Sequence, residues 1–405
     1  MKRYLSLLFL LLTPVSLLLL NAQEQIRVWK RGDSKRFTTS LLTFEEDGAA
    51  FVVGDSTYAS SEIDSITVVH TVSVTFAGDT AYVDLGHARD ITYETVGAHV
   101  DIVSTNTKSE LEFVVQGEST HGSLTYDGPL KCKFYLNGLN LKSNTGAAID
   151  IQCGKRVDLI LNEGTENVLS DAAGGEQKAA LYCKGHLEVS GSGSLTVTGN
   201  TKHAIATKEY MELKKSTGSI TVKKAVSDAM HIGQYFLMSG GTLTLSGQGG
   251  DGLQVEVVTL SDDVTPNPDK ENNGQMFIRG GTLSITAAED CAKGIKAPAD
   301  LTVSGGTFTL VASGDGSRGI QVAGNMVVGE ETSTTLMQIR ATGTTYEDEE
   351  TEDESRCMGI KVKGNLTVNA GTIQVANKGK YSYGIKVDGT YTKSANATVQ
   401  ANVKN

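Results

Sequence analysis

Apolar and polar residues alternate in short runs along most of this chain, and the runs recur on a beat. Nine two-residue anchors carry the beat: Ala148-Ile149, Ala180-Leu181, Ala204-Ile205, Ala229-Met230, Gly252-Leu253, Gly294-Ile295, Gly319-Ile320, Gly359-Ile360 and Gly384-Ile385. Their second members are spaced by 32, 24, 25, 23, 42, 25, 40 and 25 residues. A further apolar residue follows six positions later in most copies, at Leu187, Met211, Phe236, Leu301, Met326, Leu366 and Tyr391. One unit reads Gly-Ile-Lys-Val at 359–362, Leu-Thr-Val at 366–368 and Ile-Gln-Val at 373–375. Period-two alternation is the mark of a strand with one buried face. Three short strands in about 25 residues, repeated, predict an all-β fold of three-stranded coils, a parallel β-helix. Ile360, Val362, Leu366, Val368, Ile373 and Val375 are expected to point inward, and Lys361, Thr367 and Gln374 outward. Glycine pairs at 240–241, 280–281 and 305–306 mark one corner, where a positive φ is expected.

The two long steps read as insertions. The one after Leu253 leaves between a first and a second strand. The one before Gly359 leaves after a third strand and carries seven carboxylates in residues 347–354, a composition typical of a solvated loop. Residues 70–147 have the same strand content with looser turns. Residues 23–69 differ: they hold the only Trp, Trp29, and a basic cluster of Lys30, Arg31, Lys35 and Arg36. They are expected to form a small β-rich lead-in, or a cap over the exposed strand edges of the first coil. Lys2 and Arg3 followed by an apolar run from Leu5 to Leu20 read as a signal peptide over 1–22. The expectation is a secreted, periplasmic or cell-surface monomer with no membrane insertion, its coiled domain spanning 70–405.

The formal charge of −11 disfavours nucleic acid and anionic membranes as partners and suits cations or glycans. The five cysteines, Cys132, Cys153, Cys183, Cys291 and Cys357, form no C-x-x-C pair, so they read as small buried residues rather than a zinc site.

Aligning the coils exposes ladders of equivalent positions. Asp228 and Asp251 sit two residues before the second anchor residue of adjacent coils, and Asp290 and Asp315 sit five before it. Stacked carboxylates repel unless a hard cation with oxygen ligands, Ca2+, joins them, or unless each caps a turn through a hydrogen bond. Lys296, Gln321, Lys361 and Lys386 follow the anchor by one and point outward, as a flat stripe for a polysaccharide or as an ordinary solvated face. Tyr210 over Tyr235 is either a sugar-stacking platform or a packed turn pair. His203 and His231 lie near anchors without a Ser or Cys partner and read as structural.

Gly-Ala-Ala-Ile-Asp-Ile at 146–151, the run at 157–171 and Gly-Ser-Gly-Ser-Leu-Thr-Val-Thr-Gly at 191–199 resemble the secreted bacterial carbohydrate-binding β-helix family of the cellulose- and polygalacturonate-binding type. The resemblance covers roughly 70–400. It implies a right-handed parallel β-helix that binds cellulose or pectin-like acidic glycans without catalysis, with calcium in Asp-Gly-Ile turns. Asp251-Gly252-Leu253 and, more distantly, Asp228-Ala229-Met230 match those turns, whereas Asp290 and Asp315 are displaced from the motif. The segment before residue 70 is outside the match and is similar to lead-in segments of secreted Bacteroidetes proteins. Two alternatives stay open: a polysaccharide lyase or hydrolase on the same fold, with Lys296 near Asp290, and an adhesive spacer.

Overall fold

Each anchor lies directly beside its successor in one sheet. The computed structural model describes residues 25–31, 33–38, 42–44, 50–53, 56–330, 334–348, 350, 354–379 and 382–404. The leader expected at 1–22, and residues 349 and 351–353 of the acidic run, lie outside these. From Ile149 to Ile385 all nine anchors are paired in parallel register, each to the next, and each is fully buried. They belong to a 13-stranded sheet whose one antiparallel pair is the first, Ile91–Val96 with His99–Ser104. Steps of 42 and 40 residues leave the register intact, so the extra residues loop out of the coil.

The second and third strands of each coil stack in the same way. Leu187, Met211, Phe236, Met276, Leu301, Met326, Leu366 and Tyr391 oppose one another in turn. So do Leu195, Ile220, Leu243, Leu283, Phe308, Met337, Ile373 and Val399. In the coil with the first insertion the second-strand residue is Met276, because the position six after Leu253 already belongs to the loop. In an early coil, strand Cys132–Lys142 pairs with both Arg156–Leu161 and Glu166–Ser170, bending around a corner at Gly138, where φ is +73°.

The six core positions expected in 358–377 are buried. Corner glycines behave as their pairing suggests: Gly241, Gly281 and Gly306 have φ of +87°, +95° and +105°. Turns are tied from coil to coil by side-chain oxygens. Asn325 Oδ1 accepts the Asn365 N–H at 2.9 Å, and Asn365 Oδ1 accepts the Thr390 N–H at 2.8 Å. Four of the five cysteines are buried and all five are free thiols.

The chain divides into two compact units after Val69. In the first, Gln25–Lys30 pairs antiparallel with Asp33–Thr38 and with residues 65–69. Leu42–Phe44, Ala50–Val53 and Ser56–Ala59 make a separate antiparallel sheet. Ile26 and Val28 of the first strand and Phe51 and Val53 of this sheet form the small core of the first unit. Among the described residues no helix is long and apolar enough to cross a membrane.

The period-two burial makes neighbouring substitutions unequal. Phe308 is fully buried and Thr309 is exposed. Phe308→Ala is expected to cost about 3–5 kcal/mol and Thr309→Ala less than about 0.5 kcal/mol, read as a shift in the urea unfolding midpoint. Similar shifts for both would contradict the inward assignment.

Candidate functional site

The anchors break strict alternation, and that break builds the site. In Lys293–Ala297 and Arg318–Val322 the burial pattern is partial, buried, buried, partial, buried. Both anchor residues face the core, so the residues two before and one after the second anchor residue both face out, side by side. The first anchor residue must be small. A Cβ on Gly252 would lie 2.6 Å from the Gly294 carbonyl oxygen of the next coil and 2.6 Å from Ile285 Cγ2. Two outward columns result. One runs His203, Asp228, Asp251, Lys293 and Arg318. The other is the paired ladder His231, Gln254, Lys296, Gln321, Lys361 and Lys386.

Where the columns meet, at His203, Asp228 and His231, they form a tight buried cluster. His231 Nδ1 is 2.8 Å from Asp228 Oδ2 and its Nε2 is 3.0 Å from Glu256 Oε2. His203 stacks on His231 with ring centroids 4.2 Å apart and planes at 24°. Only 1% of His203 is exposed, and among the described residues neither of its ring nitrogens has a hydrogen-bond partner; Nδ1 stands 3.4 Å from Asp228 Oδ2. Burial, then the neighbouring His231, push His203 down to about 4. Burial also pulls on His231, but the bonds to Asp228 and Glu256 outweigh it and hold His231 above the usual imidazole value. The bond to His231 in turn holds Glu256 low.

Asp251 is the next rung. Its Oδ1 accepts the Lys293 N–H at 2.8 Å and its Oδ2 pairs with Lys296 Nζ at 3.0 Å. Lys296 also donates to Gln254 at 3.1 Å. Burial lowers Lys293. A cleft of about 410 Å3 opens here, lined by His203, Asp228, His231, Asp251, Lys293 and Lys296 among others. A second cleft of about 430 Å3 lies on the same sheet at Thr125, Asp150 and Gln177.

The other expected site residues are placed less openly. Tyr210 and Tyr235 do stack, with centroids 4.5 Å apart and planes at 16°. They are not an exposed platform: Tyr235 is 5% exposed, and the hydroxyls donate to Glu188 at 3.1 Å and Glu212 at 3.0 Å. His186 covers the other side of Tyr210, and Phe277 meets Tyr235 edge-on. Lys361 is outward but largely covered, ion-paired with Asp388, which also lies 3.8 Å from Lys386. Gln321 accepts a hydrogen bond from Arg318.

All four expected metal ligands bind the next coil's backbone through one oxygen. Asp228 Oδ1 accepts the Asp251 N–H at 2.9 Å, Asp290 Oδ1 the Asp315 N–H at 2.8 Å, and Asp315 Oδ1 the Thr344 N–H at 2.7 Å. The bonds from Thr344 hold Asp315 below the usual carboxylate range. Calcium fits Asp228 and Asp251 poorly, since their remaining oxygens face His231 and the Lys296 ammonium. Asp290 and Asp315 each keep an oxygen without a protein partner among the described residues and fit a hard cation better.

The model of the carbohydrate-binding domain-containing protein family matches residues 97–397. The chain belongs to this family. A carbohydrate-binding domain-containing protein of Acetivibrio thermocellus is 32% identical over 96 residues, which are 22% of this chain and 33% of that protein. The chain thus matches about a third of that relative's length. A solved structure described as a polysaccharide lyase-like protein from C. thermocellum, a gadolinium derivative, covers 66% of this chain and 96% of its own at 21% identity and a TM-score of 0.48.

The two stacked imidazoles should titrate far apart. Proton NMR on chelator-treated protein is expected to find His203 titrating near 4 and His231 above about 6.5. His231 therefore stabilises the fold at low pH, and the gain fades as pH rises through its raised value. His203 opposes this, its penalty growing as pH falls below about 6.5. Two histidines both titrating at the unperturbed value would refute the buried cluster.

Proposed function

We propose that this carbohydrate-binding domain is a secreted, non-catalytic right-handed parallel β-helix that binds an acidic plant-type polysaccharide along the outward face of its first-strand sheet. The observation that carries the reading is the unbroken outward ladder from Thr125 through Asp150 to Lys386, with both clefts opening on it. Its rungs repeat every coil, about 4.8 Å, on the scale of one sugar residue in an extended chain. Towards the C-terminus the rungs are Lys296, Gln321, Lys361 and Lys386, with Lys293 and Arg318 beside them. Asp251 pairs with Lys296, and Asp388 with Lys361 and Lys386; a uronate carboxylate can take the place of either Asp. Calcium, in this reading, bridges Asp290, Asp315 and the glycan. The right hand of the coil follows the general handedness of parallel crossovers.

Lys296 does not favour the lyase alternative. Its nitrogen is already engaged by Asp251 at 3.0 Å and by Gln254 at 3.1 Å rather than turned free toward a substrate proton.

Isothermal titration against polygalacturonate and cellulose tests the proposal. Lys296→Ala and Lys386→Ala are each expected to weaken polygalacturonate binding about tenfold, or about 1.4 kcal/mol. Chelation is expected to weaken it too, and Asp290→Asn with Asp315→Asn to remove that sensitivity. Failure to bind any glycan would overturn the binding role, and growth of unsaturated product absorbance would overturn its non-catalytic part.

A further inference from the structure

The cluster at His203, Asp228 and His231 is built differently from the rest of the outward face. In the coils that follow, Asp251 takes the next coil's N–H and pairs with Lys296, and Lys361 pairs with Asp388. His203 alone among these rungs is a buried imidazole with both nitrogens unpartnered among the described residues. Leaving such a group unsatisfied is unfavourable, and the equivalent position one coil earlier is simply Ala179. A residue kept at that cost asks for a ligand.

We propose that His203, Asp228 and His231 bind a divalent transition-metal ion of the zinc class. One ligand atom from each lies within 4.8 Å of the others. Donors around a tetrahedral zinc at 2.0–2.1 Å stand roughly 3.3 Å from one another. The separations from Asp228 Oδ2 are 2.8 Å to His231 Nδ1 and 3.4 Å to His203 Nδ1, so small shifts admit the ion. Two imidazoles and one carboxylate suit zinc, cobalt or nickel over calcium.

The surroundings orient these donors as a metal site requires. Glu256 takes the Nε2–H of His231, which leaves the Nδ1 lone pair facing Asp228 Oδ2. Two lone pairs at that distance are favourable only with a proton or a metal ion between them. Asp228 Oδ1 is pinned by the Asp251 N–H, which aims Oδ2 at the histidines. The cleft borders all three residues, giving the ion a way in and leaving further coordination positions for water or a ligand oxygen. This site shares no ligand with the calcium position proposed at Asp290 and Asp315, Asp290 lining another part of the same cleft, and it does not depend on glycan binding.

Titration calorimetry with Zn2+, and visible absorption with Co2+, test it on the full chain. The wild type is expected to take up one ion and to show a cobalt band of low-symmetry coordination, unaffected by millimolar Ca2+. His203→Gln and His231→Gln should each weaken Zn2+ binding at least tenfold, while His186→Gln and Asp315→Asn should leave it unchanged. The His203 side chain makes no hydrogen bond among the described residues, so His203→Gln should keep the wild-type circular dichroism. If it does not, the wild-type cobalt band and its resistance to Ca2+ decide alone. No stoichiometric uptake by the wild type, equal uptake by the His203 and His231 variants, or displacement of Co2+ by Ca2+ would overturn the proposal.

Discussion

Everything on the outer face depends on a steric constraint at the inner one: two successive residues of each first strand point into the core. The first of the two meets the backbone of the next coil and a side chain from the third strand. At Gly319 a Cβ would stand 2.6 Å from the Gly359 carbonyl and 2.7 Å from Ile339 Cγ2. That forces Gly in the later coils, while the earlier ones accept Ala. Because the pair breaks the period of two, the side chains flanking it emerge on the same side. A core-packing rule thereby places His203 against His231 and Asp251 against Lys296, residues from neighbouring coils that no local motif would join.

The beat of small-then-branched residues made the coil legible, since each anchor needs the same volume at the same place. Asp251 and Lys296 were equally legible as ladder members, being two before and one after their anchors. The histidine cluster was not. His203 occupies the same column as Asp228 and Asp251, and His231 the same column as Lys296, but one column had been read for carboxylates and the other for cations. Extending the first column one coil and the second two coils toward the N-terminus, whatever the residue type, finds them. Tyr235 misled for another reason. Its offset from the anchor is regular, but burial there is set by Phe277 and by the loop after Val255, which reaches back through Lys270 to Glu209. Register says which residues are neighbours and not what else covers them.

The carboxylates illustrate how one residue type serves two ends. Each ladder Asp gives one oxygen to a backbone N–H of the following coil, which is a structural duty, and turns the other outward. The partner of that second oxygen then decides the chemistry: an imidazole at Asp228, an ammonium at Asp251, and no described protein group at Asp290 and Asp315. Local charge, rather than the net charge of the chain, sets what each turn can bind.

The 42-residue step from Leu253 to Ile295 leaves both residues opposite each other. Coil-to-coil pairing is thus insulated from the length of what is spliced between strands. Such a chain can gain or lose whole loops without renegotiating its core, because each coil touches chiefly its neighbours. The edge of the 256–275 loop carries Glu256, which holds His231, so a change of loop rewrites the lip of the cleft and leaves the scaffold as it was. The fold separates the part of the molecule that must stay constant from the part free to diversify.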